Sequence, residues 1–274
     1  MKNRIAVATD FSQKSLMALT KAIYLAKKLQ YTLDIIHVVE YSIFHNPKKD
    51  KKAGKDALAK FLKNHFPNPE VEMQQFCYVG TIHKEINQHI KERECRLLCI
   101  GATGETQHLT DILLGSVTKQ IVKKSPIPVL VAKNETLPDY TNIFSPTDFS
   151  EASSKIAKIT KKFFPTAHLI FYHMISRPFE IRLGHYGAND EQISNFNQTL
   201  ENKTKELAKK FLKNFPEHKN EVVLDSGILS YTRLLSVAEN KNASLIALPT
   251  SGKVSFFALD VLENSKIDVF IWKF

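Results

Sequence analysis

At 274 residues, 43% of them hydrophobic, the chain can bury one large core or two ordinary ones. No apolar run approaches the ~18 residues of a membrane span, and Met1-Lys2-Asn3-Arg4 leads directly into a strand-like run, so neither a membrane helix nor a signal peptide is expected. The formal charge is +10, with 21 Lys/Arg against 13 Asp/Glu in residues 1–137 and 17 against 15 in residues 138–274; the first half therefore suits an anionic ligand.

The three cysteines, Cys77, Cys95 and Cys99, are an odd number without zinc-site spacing, which reads as core thiols of a cytoplasmic protein. No stripe interleaves aromatic with basic residues, so no nucleic-acid partner is expected.

In chain order, a first strand, Arg4-Ile-Ala-Val-Ala, runs into Thr9-Asp10-Phe11-Ser12. Ser12 is placed to cap a helix with apolar residues Leu16, Leu19, Ala22, Ile23 and Ala26. A second strand, Leu33–Val39, contains His37, expected as a satisfied core histidine. The lysine cluster Lys48–Lys52 reads as a basic loop ahead of an amphipathic helix over about 52–65. A third strand near 71–78 leads through Gly80 into a helix over 82–93, and Leu97–Ile100 reads as a buried fourth strand.

There follow Gly101-Ala-Thr-Gly104 and, after ten residues, Gly115-Ser116 opening a helix. Glycines let backbone N–H groups approach a ligand closely, and a helix N-terminus adds unpaired donors and the positive end of a dipole. That chemistry suits phosphate. Pro126-Ile-Pro-Val-Leu-Val131 closes the half, and the polar stretch 134–141 reads as a linker.

The order then repeats. Asn142-Ile-Phe-Ser-Pro precedes a second Thr147-Asp148-Phe149-Ser150, and a strand with His173 follows. Helices are expected over about 190–214 and 228–240, with strands at 221–225, 245–248 and 267–272. Strands alternating with helices need crossover connections, which make a parallel sheet covered on both faces. The expected fold is α/β, with two tandem doubly wound five-stranded domains over 1–137 and 138–274.

The echoed Thr-Asp-Phe-Ser, the strand end His37-Val38-Val39, and Gly101-x-x-Gly104 with Gly115-Ser116 and Ser125-Pro-Ile-Pro128 together resemble the universal stress protein family. The resemblance covers nearly the whole chain as two tandem domains. It implies an adenine-nucleotide alpha-hydrolase-like fold with the halves related by a pseudo-twofold, as an internal pseudo-dimer. Pairing of the closing strands 129–132 and 269–272 within the chain would cover two sheet edges; a homodimer is a further option the sequence leaves open.

The resemblance also implies a nucleotide site in residues 1–137 alone. Gly101, Gly104, Gly115 and Ser116 match the family's phosphate cradle, Asp10 its nucleoside-contacting acid, and Val38 the strand position whose backbone reads adenine. ATP, with or without Mg2+, is the implied ligand. The family's spacing has nine residues where Glu105–Leu114 supplies ten. In the second half Pro249 stands where Gly101 does and no Gly-Ser follows, so that half is not expected to hold nucleotide; Asp148 is expected in a capping or loop role.

No Walker loop, dinucleotide fingerprint or catalytic triad is present, so the expected role is regulatory and not enzymatic, with at most slow ATP hydrolysis. Two alternatives stand beside a stress-linked ATP-binding protein: a non-nucleotide interaction or structural member, and a small-molecule carrier using the aromatic-rich second domain.

Overall fold

A computed structural model of the chain describes residues 3–40, 46–102, 115–137, 139–175, 189–217, 219–250 and 255–273. It divides into two compact units, one of residues 1–139 with 250–274, the other of residues 140–249.

In the first unit, strands β1 (Arg4–Ala8), β2 (Thr32–Glu40), β3 (Met73–Gly80), β4 (Leu97–Gly101) and β5 (Val129–Ala132) alternate with helices α1 (Gln13–Leu29), α2 (Pro47–His65), α3 (Ile82–Glu92) and α4 (Ser116–Lys124). The strands lie in the order β3-β2-β1-β4-β5 and are all parallel. Ile5, Val7, Leu33, Ile35, Leu97 and Leu130 have no exposure, as expected of strands covered on both faces. Lys48–Lys52 are not a loop. Asn46 accepts from the Lys48 and Lys49 amides and Pro47 takes the first helical position, so the cluster forms the opening turns of α2.

The chain's last strand also belongs to this unit. Helix α8 (Phe256–Asn264) and β10 (Asp268–Lys273) group with residues 1–139, although chain order assigned them to the second repeat. Strand β10 pairs antiparallel with β5, Val269 opposite Val131 and Ile271 opposite Val129, which covers the β5 edge. The expected pairing of the two closing strands is therefore present.

A buried polar cluster fixes this strand. Lys21 of α1 forms an ion pair with Asp268, and Asp268 also accepts from the Lys133 amide at 2.8 Å. The Lys133 ammonium donates to the Leu262 and Glu263 carbonyls at the end of α8. Burial, aided by the nearby Lys14 charge, pushes Lys133 down to about 8 against the opposing pull of Glu263 and Asp268.

A second buried cluster sits toward the amino ends of the strands. Asp34 meets Arg4 at 3.1 Å, His89 at 3.0 Å and Arg93 at 3.2 Å, and His89 reaches Tyr78 through its other ring nitrogen at 2.8 Å. Cys95 lies close enough to complete a three-residue metal-ligand geometry with Asp34 and His89. A dication there would face two guanidiniums, and burial has pushed the Cys95 thiol up to about 12, so the cluster reads as structural. All three cysteines are buried free thiols.

Burial alone would raise the Asp34 pKa. Hydrogen bonds from His89 and Arg93, with the charges of His89 and Arg4, outweigh it and hold the carboxyl below its ordinary value. A lowered folded pKa contributes stability present above the unfolded value and lost as pH falls through the folded one. Urea denaturation across pH 3–7 is expected to show a steep loss of stability below about pH 4, and Asp34→Asn, less stable at pH 7, is expected to show a shallower one.

In the second unit, β6 (Asn142–Pro146), β7 (His168–Ile175), β8 (Glu221–Ser226) and β9 (Leu245–Thr250) are parallel in the order β9-β6-β7-β8, with α5 (Glu151–Phe163), α6 (Asp190–Leu212) and α7 (Tyr231–Asn240) between them. Helix α7 begins three residues later than expected because Ser230 caps it by accepting from the Arg233 amide; Ile228, 89% exposed, and Leu229 stay outside the helix.

Candidate functional site

The Thr-Asp-Phe-Ser turns leave the sheet in the same way in both units. Phe11 and Phe149 take left-handed backbone, φ 66° and 62°. Each ring packs on a histidine, Phe11 on His37 at 4.3 Å between centroids and Phe149 on His173 at 4.5 Å. Each histidine binds the turn's threonine carbonyl through Nδ1, at 2.9 and 2.8 Å. Both histidines thus serve the turn, as satisfied structural groups.

The aspartates of the two turns differ in their partners. Asp148 Oδ1 accepts from the Ser150 amide at 2.9 Å and the Ser153 hydroxyl at 2.8 Å. Burial opposes its ionisation, but these bonds win and hold its pKa below the ordinary value. It plays the loop role expected of it. Asp10 Oδ1 accepts from the Ser12 amide and hydroxyl, at 3.1 and 2.6 Å. Ser15, the counterpart of Ser153, instead bonds Thr9 at 3.0 Å and the Ser12 carbonyl at 3.0 Å. In both turns these hydrogen bonds fall on Oδ1 of the aspartate, and Asp10 lacks the bond from the second serine that Asp148 has.

Above the carboxyl ends of β1, β2 and β4 the first unit has a cavity of about 180 Å3. It brings together five of the six residues singled out from the sequence: Asp10, Val38, Gly101, Gly115 and Ser116. Gly104 lies outside the described residues. The wall is apolar, with Ile36, Ile82, Ile86, Ile100 and Ile121; Thr9, Ser15 and Thr118 add hydroxyls. Sequence reasoning missed this wall. The i, i+4 spacing of Ile82 and Ile86 on α3 was its visible signal.

Each glycine has a distinct task. A Cβ on Gly101 would stand 2.8 Å from the backbone C and O of Lys14, so a side chain there would push α1 away. Gly101→Ala is expected to cost about 1–3 kcal/mol in urea denaturation, whatever its effect on a ligand. The Gly115 amide donates to the Ala102 carbonyl at 3.1 Å and is already committed. Gly115 is also the N-cap of α4 and has no side chain to cap it. The first intrahelical bond there runs from the Lys119 amide to the Gly115 carbonyl at 3.0 Å, so the Ser116, Val117 and Thr118 amides precede it and form the donor end of the helix. The counterpart helix α8 is closed by its own residue, Ser255 accepting from the Ala258 amide at 3.1 Å.

Val38 contributes backbone. The Ile36 carbonyl accepts from Thr9 at 2.9 Å, where β1 ends. Backbone groups two residues apart on a strand face the same side, so the Val38 N–H and C=O point into the gap that β1 has left. A donor and an acceptor side by side suit the edge of a heterocyclic base.

The second unit carries larger side chains at equivalent register positions. By register with β1 and β6, Tyr172 stands where Ile36 does, and Phe144 where Ala6 does. Tyr172 is 1% exposed, packs on Phe144 at 5.3 Å, and donates to Asp225 at 2.9 Å. Arg233 grips the same carboxylate with two bonds of 2.7 Å, and those bonds chiefly pull Asp225 down to about 2.

A parallel α/β unit with a donor-lined cavity at its strand ends follows the rule that open α/β sheets place ligand sites at the carboxyl ends of their strands. A sequence profile of the Universal stress protein family matches residues 1–133. A universal stress protein of Methanocaldococcus jannaschii is 31% identical over 140 residues, 47% of this chain and 81% of that protein. Another, from Bacillus subtilis, is 29% identical over 150 residues, 48% of this chain and 100% of that protein. A universal stress protein structure from Archaeoglobus fulgidus shares the fold, with a TM-score of 0.69 and 18% identity over 100% of this chain and 99% of that one. The chain belongs to the universal stress protein family and carries two tandem domains of its fold.

Proposed function

We propose that this chain is a stress-linked regulatory protein that holds one adenine nucleotide, ATP with or without Mg2+, in the cavity of residues 1–137, and that it acts through occupancy and not through turnover. The observation that carries this reading is the convergence of Asp10, Val38 and the open first turn of α4 on one cavity. The base would lie against the isoleucine wall with its edge at the Val38 backbone, and the phosphates would face the Ser116–Thr118 amides. The Asp10 carboxylate, which lines the cavity, would accept from a ribose hydroxyl. The Thr9 and Ser15 hydroxyls are already engaged with each other, and the Thr118 hydroxyl donates to the Gly101 carbonyl.

Isothermal titration with ATP, GTP and CTP, each with and without Mg2+, tests the reading. One site per chain with preference for adenine is expected. No heat and no retained nucleotide at millimolar ATP with Mg2+ would refute it and leave the non-nucleotide interaction protein as the reading.

A further inference from the structure

Helix α2 holds seven lysines against two aspartates, a net of +5, half the formal charge of the chain. Its counterpart in the second repeat, α6, holds four lysines against four acids. Excess charge of this kind is not needed to seat the helix. Gly54, Leu58 and Leu62 already do so, and a Cβ on Gly54 would stand 2.8 Å from Cys77 Sγ and 2.9 Å from a Val39 methyl. With that side pressed onto β2 and β3, all seven lysines are exposed.

Some surface lysines elsewhere in the chain form ion pairs, as in Lys155–Glu151, Lys209–Glu206 and Lys241–Glu221. Among the described residues, no lysine of α2 makes an ion pair. Spacings of three or four residues set several like charges beside each other, as in Lys48–Lys52, Lys51–Lys55 and Lys60–Lys63, each such pair costing a helix about 0.2–0.5 kcal/mol, while Asp56 alone stands four residues from two lysines, Lys52 and Lys60. The sequence thus accepts a local penalty to keep one face cationic.

We infer that the outer face of α2 docks the phosphate backbone of a nucleic acid, without regard to base sequence. From Lys48 to Lys63 the stripe spans about 22 Å at 1.5 Å per residue, roughly six nucleotide steps of one duplex strand at 3.4 Å. The exposed residues among the lysines are Ala53, Asp56, Ala57 and Ala59, a single carboxylate in the stripe, with no aromatic or arginine anchor of the kind that centres a protein interface. The apolar side of the helix is spent on the sheet and cannot enter a bilayer. The lack of interleaved aromatics, which set the sequence expectation against nucleic acid, bears on base stacking and not on phosphate contact.

Fluorescence anisotropy with labelled single-stranded and duplex 20-mers at two salt concentrations tests this, beside anionic phosphatidylserine vesicles. Neutralising about four phosphates should weaken binding roughly 100-fold between about 50 and 200 mM salt. The variant K48Q/K52Q/K55Q/K63Q should lose most of the affinity and flatten that slope. The control K203Q/K205Q/K209Q/K210Q removes the same charge from α6 and should stay within about threefold; circular dichroism confirms that both fold. Equal loss in both variants, or no binding at low salt, overturns the inference. Vesicle binding that depends on α2 without nucleic-acid binding replaces it with a membrane surface.

Discussion

Asp268→Ala is expected to destabilise the first unit by about 3–5 kcal/mol, because it removes one partner of a buried ion pair and leaves the other. Asp268 has no exposure, and the Lys21 side chain is 2% exposed. Burial pulls the Lys21 pKa below its ordinary value, with Asp268 pulling it back. Without the carboxylate the ammonium keeps only the Asn134 side-chain oxygen, at 3.0 Å, and the Lys133 amide loses its acceptor.

A lysine whose folded pKa is lowered binds fewer protons folded than unfolded, so stability rises with pH between the two values. The penalty of the variant is therefore expected to shrink as pH rises toward 10.5, the ordinary lysine value. The pair Lys21→Met with Asp268→Leu, which leaves no charge behind, should recover most of the loss. Urea denaturation reads the energies, and hydrogen exchange over residues 256–273 reads whether β10 loosens. A loss under about 1 kcal/mol for the single variant would mean that the pair is solvated.

Ile36→Phe is expected to weaken ATP binding at least ~100-fold, about 2.7 kcal/mol at 1.4 kcal/mol per decade, while the chain stays folded. Ile36 is fully buried beneath the cavity, and a larger ring there has only the ligand's space to enter. The protein already contains this solution: Tyr172 occupies the same register position in the second unit and packs on Phe144. Overpacking costs about 1–3 kcal/mol, which thermal denaturation would report separately from binding. Val38→Ala is the contrasting variant. It keeps the backbone donor and acceptor, and its affinity should remain within about fivefold. If Ile36→Phe binds ATP as the unchanged chain does, the nucleotide lies elsewhere.

Much of this was legible in the sequence because it is local. Hydrophobic runs of strand length, Ser12 and Ser150 before helices, and the repeated Thr-Asp-Phe-Ser depend on near neighbours, and they set the alternation of strands and helices. The grouping of Asp10, Val38, Gly101, Gly115 and Ser116 was legible through the family resemblance, since parallel strands gather their carboxyl ends at one edge. The lysines of α2 could be counted but not placed, because their meaning depends on which side of the helix the sheet takes.

Local patterning along the chain was enough for the two tandem α/β repeats, and the family resemblance for the residues that converge at the first one's strand ends. The three-dimensional packing alone reveals that Gly101 is a glycine for contact with α1, that the Gly115 amide is already bonded, and that Tyr172 is buried on Phe144. It also decided that the last strand completes the first unit through Asp268 and Lys21, 247 residues apart. Such facts rest on which distant atoms meet, and no periodicity or spacing along a chain encodes a meeting between segments that far apart.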